Sequence, residues 1–296
     1  MTTHPDLPTE ADPRVAFTMT AARSAHSTSG SGDSPAPQPV GVLVIHGFTG
    51  SVYSVRDWAL NFTPEHSVVV PALPGHESTW EDLSTTTWQQ WYTHVADLLA
   101  ELASSHERVV VAGFSMGGAL ALRLAEAMPE VVDGVVVVNP ALSLHNRAAR
   151  AASVLRHAVK STRAVGSDVA KEGVDEYAYG RTPTAGVAQL NRLMRLTTRE
   201  LAKITVPVLV LRSRQDHVVS KASHELIMQR CSGPVETVVL PRSYHVATLD
   251  HEADVVLNRS REFVDAVAAG HCSITGGPLP AARSVSSAEP VQGGCG

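Results

Sequence analysis

The stretch RVVVAGFSMGG, Arg108 to Gly118, joins a β-branched run directly to G-x-S-x-G and then to small and apolar residues as far as Met128, where Pro129 follows. Its apolar run, Arg108–Ala112, suits a strand covered on both faces, and Met116–Met128 reads as a helix. G-x-S-x-G alone is weak, arising by chance about once in ten chains of this length. The setting makes it informative. A strand that ends where a helix begins needs a sharp turn, which the glycines permit, and the serine at its apex is held out at the strand end. Ser115 is therefore expected at a nucleophile elbow.

Outward from that turn the chain alternates short β-branched runs with amphipathic stretches. Strands are expected at Val40–Ile45, Ser67–Val70, Arg108–Ala112, Val132–Val138, Val206–Arg212 and Val235–Leu240, with Arg14–Thr20 as an earlier antiparallel edge strand. Thr87 suits the N-cap of a helix over Trp88–Ser105, and Ser220 that of Lys221–Arg230. The alternation implies an α/β fold: a mostly parallel, doubly wound sheet with helices on both faces and its ligand site at the carboxyl ends of the strands. One stretch interrupts it. Residues 143–203 form an insertion of about sixty residues, too long for a structureless loop. They read as helical throughout, a cap over the strand ends. The expected organisation is a flexible segment 1–39, core 40–142, cap 143–203, core 204–271 and a disordered tail 272–296; residues 21–39 and 273–296 offer little apolar surface to bury.

Composition excludes several classes. With 296 residues, 44% hydrophobic and 18% charged, and a net charge of −5, the chain reads as one globular domain with an insertion. No basic block suggests nucleic acid or an anionic membrane surface, and no apolar run reaches the roughly 18–20 residues of a membrane span. Met1–Arg14 lacks the apolar core of a signal peptide. Cys231, Cys272 and Cys295 have neither metal nor redox spacing, which favours a reducing cytoplasm. No H-E-x-x-H or similar spacing calls for a metal, and acyl transfer needs no cofactor.

A serine hydroxyl needs a base, and the base an orienting acid, in the chain order Ser, acid, His. Asp216 follows the strand Val206–Arg212; the other strand end where an acid could stand carries Asn139. Of the five histidines after Asp216, His217 adjoins the acid, His224 and His251 fall in helical stretches, and His271 borders the tail. His245 alone lies in a loop just after the last strand. The developing oxyanion needs two backbone N–H donors. Met116, after the nucleophile, supplies one; Phe48, in His46-Gly47-Phe48-Thr49-Gly50, is the best source of the second, with His46 bracing that loop.

On these motifs the chain resembles the bacterial monoacylglycerol lipases and neighbouring short-chain carboxylesterases of the α/β-hydrolase fold. The likeness is carried by GVLVIHGFTG (41–50), LPGH (73–76), GFSMGG (113–118), DHVV (216–219) and SYHVATLD (243–250). In the cap it is carried by Gly166-Ser167-Asp168, Glu176–Tyr179 and Thr182–Met194. It implies Ser115, Asp216 and His245 as the triad and Phe48 and Met116 as oxyanion donors. It also implies Glu176 as a carboxylate accepting hydrogen bonds from glycerol hydroxyls, Val165 as an apolar gate to the acyl pocket, and a cap in transient contact with lipid. The chain departs from the pattern in its long N-terminal segment, its tail, and Glu77 where a glycine often follows the histidine. Two other readings keep the same residues: a broad carboxylesterase or C–C bond hydrolase with the same triad, and a non-catalytic receptor on this scaffold.

Overall fold

The structure is a computed structural model describing residues 14–21, 38–164 and 168–271. From the N-terminus, β1 (Phe17–Met19), β2 (Gly41–Ile45), α1 (Tyr53–Leu60), β3 (Ser67–Val70), α2 (Trp80–Thr85) and α3 (Trp88–Ser105) lead to β4 (Val109–Phe114), α4 (Met116–Ala127) and β5 (Gly134–Val138). The insertion follows, with α5 (Ala152–Leu155), β6 (Ser161–Arg163), β7 (Arg181–Pro183) and α6 (Thr184–Glu200). The chain then returns through β8 (Val208–Ser213), α7 (Ala222–Arg230), β9 (Val235–Leu240) and α8 (Ala253–Ala268). Seven strands form one sheet in the order β1-β3-β2-β4-β5-β8-β9, parallel except for the edge strand β1, which runs antiparallel to β3.

Side-chain alternation along the central strands builds two cores. Leu43, Ile45, Val109, Val111, Val135, Val137, Val208 and Val210 point to the face covered by α3 and α4, around Trp91, Leu99 and Leu120. Val42, Val44, Val110, Ala112, Val136, Val138, Leu209 and Leu211 point to the opposite face, against Trp58 and Phe62 near α1 and Phe263, Val264 and Val267 of α8. Successive strand residues face opposite sides. A strand covered on both sides is therefore apolar throughout. Each fully buried Val or Leu contributes about 1.5–3 kcal/mol relative to exposure, so these runs anchor the strand ends that carry the site.

Several boundaries differ from the sequence expectation. Strand β8 starts at Val208, not Val206, because Pro207 has no N–H for the ladder. Strand β4 runs on through Gly113 and Phe114, which pair with Val137 and Val138. Strand β5 starts at Gly134; ahead of it the Asp133 carboxylate accepts from Val109 N–H at 2.7 Å. Thr87 caps α3 in a capping box with Gln90. Ser220 does not cap α7, which starts at Ala222; its hydroxyl lies 3.0 Å from Ser143 Oγ and its N–H donates to Ser143 O at 2.8 Å, tying the start of the cap to the core. His251 lies in the turn before α8 rather than in a helix.

The insertion is not helical throughout. It holds an antiparallel ribbon, β6 on β7, and a stretch 168–180 with neither helix nor strand. The polar run Ser161–Arg163 carries no alternation that could have signalled a strand. The cap's main helix, α6, lays Leu190, Leu193, Met194 and Thr197 against the core, the Thr197 hydroxyl reaching Ala119 O in α4 at 3.5 Å. The edge strand continues into Ala21, buried, whose N–H donates to Ser67 Oγ at 3.0 Å. Residues 1–13 and 22–37 of the segment expected to be flexible, and the tail 272–296 with Cys272 and Cys295, lie outside the described residues. Among the described residues no helix is long and apolar enough to cross a membrane.

Candidate active site

Ser115 stands between β4 and α4 with φ 53° and ψ −112°, a conformation that side chains other than glycine rarely adopt. The turn closes only because its neighbours lack side chains: a Cβ on Gly113 would overlap the Gly117 carbonyl, and one on Gly117 would overlap Ile45 O. Ser115 O accepts from Ala119 N–H at 3.2 Å and Ala141 N–H at 2.9 Å, fixing the apex from two sides. From the loop after β9, His245 turns Nε2 to within 2.9 Å of Ser115 Oγ. Its Nδ1 lies 2.8 Å from Asp216 Oδ2, in the loop after β8. The other Asp216 oxygen accepts from Val218 and Val219 N–H at 2.8 and 2.7 Å, so the carboxylate cannot swing away.

The loop after β2 packs on this elbow. A methyl on Gly47 would lie 3.4 Å from Ser115 Cβ. His46 is fully buried, donates from Nδ1 to Gly47 O at 2.9 Å and accepts Leu73 N–H on Nε2 at 3.1 Å. It therefore braces the loop. Burial lowers its pKa to about 4, and it stays neutral as that pattern requires. Next to it, the Phe48 ring meets Trp91 edge-on at 6.0 Å and closes against Gly186 of α6. Met116 opens α4, so its N–H is one of those a helix leaves without an intrahelical acceptor.

The cap brings Glu176 to the same place, close enough for the Glu176 carboxylate and His245 to perturb each other's titration. Tyr179 pins this stretch to the core: its N–H donates to Thr49 O at 3.0 Å and its hydroxyl to Gly75 O at 2.9 Å. Val165 lies outside the described residues.

A family model described as the alpha/beta hydrolase family matches residues 42–259. The chain belongs to the alpha/beta hydrolase family. It is 38% identical over 229 residues, 76% of this chain and 90% of the other, to the thermostable monoacylglycerol lipase of Bacillus sp. (strain H-257). To the carboxylesterase of Bacillus subtilis (strain 168) it is 25% identical over 227 residues, 76% of this chain and 92% of the other. Among solved structures, one of the metagenome-derived lipolytic enzymes LipS and LipT superposes with a TM-score of 0.77 at 30% identity, over 86% of this chain and 98% of its own.

Electrostatics in this hydrolase favour a basic imidazole beside an ionised acid. Burial disfavours charge on both groups. For His245 the Asp216 carboxylate, with Glu176 and Asp168 behind it, outweighs burial and raises the pKa above 6.5. For Asp216 the charge and hydrogen bond of His245, with the Val218 and Val219 N–H groups, outweigh burial and lower the pKa. For Glu176 burial wins and pushes the carboxyl up to about 7, against the pull of His245.

Three residues support the site in ways that the sequence did not signal. Asn139, at φ 44°, donates from Nδ2 to His245 O at 2.7 Å and Ser213 Oγ at 2.9 Å, while its Oδ1 accepts Ser213 N–H at 2.8 Å. It knits three strand ends together, and asparagine tolerates left-handed backbone better than most side chains. Glu77, at φ 58°, stands in left-handed backbone, and its carboxylate accepts from Val52 N–H at 2.8 Å at the start of α1. Glu252 holds the base loop from below, accepting the Ser243 N–H at 2.9 Å and the Ser243 hydroxyl at 2.7 Å.

Proposed function

We propose that this protein hydrolyses carboxylic esters, monoacylglycerols above all, through an acyl-enzyme on Ser115. The observation that carries the reading is the unbroken hydrogen-bonded run from Asp216 through His245 to Ser115 Oγ at a strained strand-to-helix turn. Ser115 Oγ attacks the ester carbonyl while His245 Nε2 takes its proton, and Asp216 holds the imidazolium that forms. Phe48 and Met116 N–H receive the oxyanion. The tetrahedral adduct collapses, His245 returns the proton to the departing glycerol oxygen, and a water activated by the same imidazole releases the fatty acid.

Preference for monoacylglycerol rests on Glu176. A carboxylate accepts hydrogen bonds and suits a diol head group beside the imidazole. The 38% identity to a monoacylglycerol lipase supports the same substrate. A broad carboxylesterase would use the same core residues without reading glycerol. Transient lipid contact through the cap is supported by Val154, Leu155 and Val159, all exposed there. A cytoplasmic setting is supported by Cys231, a free thiol without metal or redox spacing.

The test is a panel of monoacylglycerols and p-nitrophenyl esters of graded chain length, with a fluorophosphonate probe to locate the nucleophile. Turnover of monoacylglycerols in preference to simple esters, with label on Ser115, is expected. A protein that turns over no ester and takes no label would be a binding scaffold, and the reading would fall.

A further inference from the structure

The acid and base loops are joined to each other by a third carboxylate that comes from the cap. Asp168 Oδ2 accepts hydrogen bonds from His217 N–H and His245 N–H, each at 3.1 Å. Asp168 Oδ1 lies 2.8 Å from His217 Nδ1, and its main-chain oxygen accepts from Val246 N–H at 3.0 Å. One residue thus holds the positions after Asp216 and at His245 in a single grip. Its side chain is only 12% exposed, so water competes weakly for these bonds. A reciprocal contact fastens the segment from the other side: Asp250, in the core, accepts from Ala170 and Lys171 N–H at 2.8 and 2.9 Å and from Tyr244 N–H at 2.8 Å.

We propose that Asp168 is a positioning residue of the Ser115–His245–Asp216 chain, setting from the cap the separation of the loops that carry the base and the acid. Asn139 and the Ser213 hydroxyl on Tyr244 O at 2.6 Å join the two loops at their roots; Asp168 joins them where the acid and the base themselves stand. A rotation that spoils the 2.8 Å contact between His245 and Asp216 would also open the 2.9 Å contact to Ser115. Misplacement of catalytic groups on that scale costs about 10²-fold in rate. Its charge acts too. The carboxylates facing His245 are Asp216 from the acid loop and Asp168 and Glu176 from the cap, all raising its pKa. Asp168 has His217 as its own partner. The cap is then part of the frame of the catalytic groups as well as a cover for substrate.

The proposal uses the ester-hydrolase reading for its kinetic arm only. The experiment compares wild type, Asp168→Asn and Asp168→Ala in kcat and KM on a p-nitrophenyl ester, and follows the His245 imidazole by NMR titration. Asparagine keeps an oxygen for the two N–H groups and removes the charge. Asp168→Asn is expected to keep most of kcat at the pH plateau while His245 titrates at lower pH. Asp168→Ala should lose about ten-fold or more in kcat with KM nearly unchanged. An Asp168→Ala enzyme within about two-fold of wild type in kcat overturns the proposal. So does an unmoved His245 titration in Asp168→Asn, which would leave Asp168 as scaffolding; this arm holds even if alanine prevents folding. A His245 shift in a protein that hydrolyses no ester would uphold the link between Asp168 and His245 and sink the hydrolase reading instead.

Discussion

Ser115, Asp216 and His245 each follow a parallel strand of the sheet, buried in β4 and β8 and half-exposed in β9, whereas Asp168 and Glu176 stand in a stretch of the cap with neither helix nor strand. The core half is built by one local rule applied three times: an apolar strand ends and its loop presents a polar side chain over the sheet edge. The cap half is held by contacts between residues far apart in sequence, such as Asp168 with His245 and Tyr179 with Gly75. Exposure separates them less: Ser115 and His245 are 8% and 6% exposed, and Asp168 and Glu176 are half-buried. The core supplies a rigid reacting centre, and the cap brings a second set of carboxylates to it. The reacting groups belong to the core half, and the cap half frames them through Asp168 and faces them with Glu176.

The largest effect should come from breaking the core half. Ser115→Ala should remain folded by circular dichroism and lose on the order of 10⁴–10⁶ in kcat. A folded variant retaining more than about a tenth of the activity would remove the chemistry from the strand ends.

Next comes the acid. Asp216→Asn should lower kcat by about 10³–10⁴ with little change in KM, because it orients the base without touching substrate. In the wild type, activity should rise with pH as His245 loses its proton, with a midpoint above 6.5 since Asp216, Glu176 and Asp168 together hold the proton on. A profile flat from about pH 5 to 8, with chemistry rate-limiting, would remove His245 as the base.

A smaller effect should mark the cap half. Glu176→Ala should cost about ten- to hundred-fold in kcat/KM on monoacylglycerols and little on p-nitrophenyl esters. Glu176→Gln sharpens this. The wild-type carboxyl titrates near 7, so the gap between wild type and glutamine should widen as pH rises through that value. An equal loss on both substrates would make Glu176 a structural part of the cap.

The smallest effect belongs to the core's far end and concerns stability alone. Glu126, buried on α4 and paired with Arg123 at 2.9 Å, is pushed by burial up to about 8 from an ordinary 4.5. The folded state therefore keeps a proton that the unfolded chain has released. Its contribution is complete below about pH 4.5 and is lost as pH rises to about 8. Glu126→Gln should flatten the fall of Tm across that window and leave kcat unchanged. A Tm profile identical to wild type would mean that Glu126 is hydrated or paired in both charge states.

Legibility in the sequence followed the same division. The strand Val109–Phe114 was readable because a both-sides-buried strand is apolar at every position, Val235–Leu240 by its β-branched content at a half-exposed sheet edge, and the elbow because its glycines have no substitute. The start of β8 shifted because Pro207 outranks the apolar run around it, and Ser220 lost its capping role to a tertiary partner, Ser143. Ribbon β6–β7 was missed because its pairing is polar and its sides are largely exposed. Asn139 was legible only as the absence of an acid; its part in joining three strand ends depends on a left-handed backbone that the sequence permits without requiring.

By itself the sequence determined what local chemistry can determine. Burial on two faces dictates continuous apolar strands, a sharp strand-to-helix turn dictates small neighbours, and the order Ser115, Asp216, His245 follows the chain. Tertiary structure alone decided that Asp168 grips two loops at once and that Glu176 is half-buried beside an imidazole, where desolvation pushes its carboxyl up to about 7. The reason is physical. A hydrogen bond between residues 77 apart in sequence leaves no periodicity behind, and desolvation depends on everything packed around a group rather than on its neighbours in the chain.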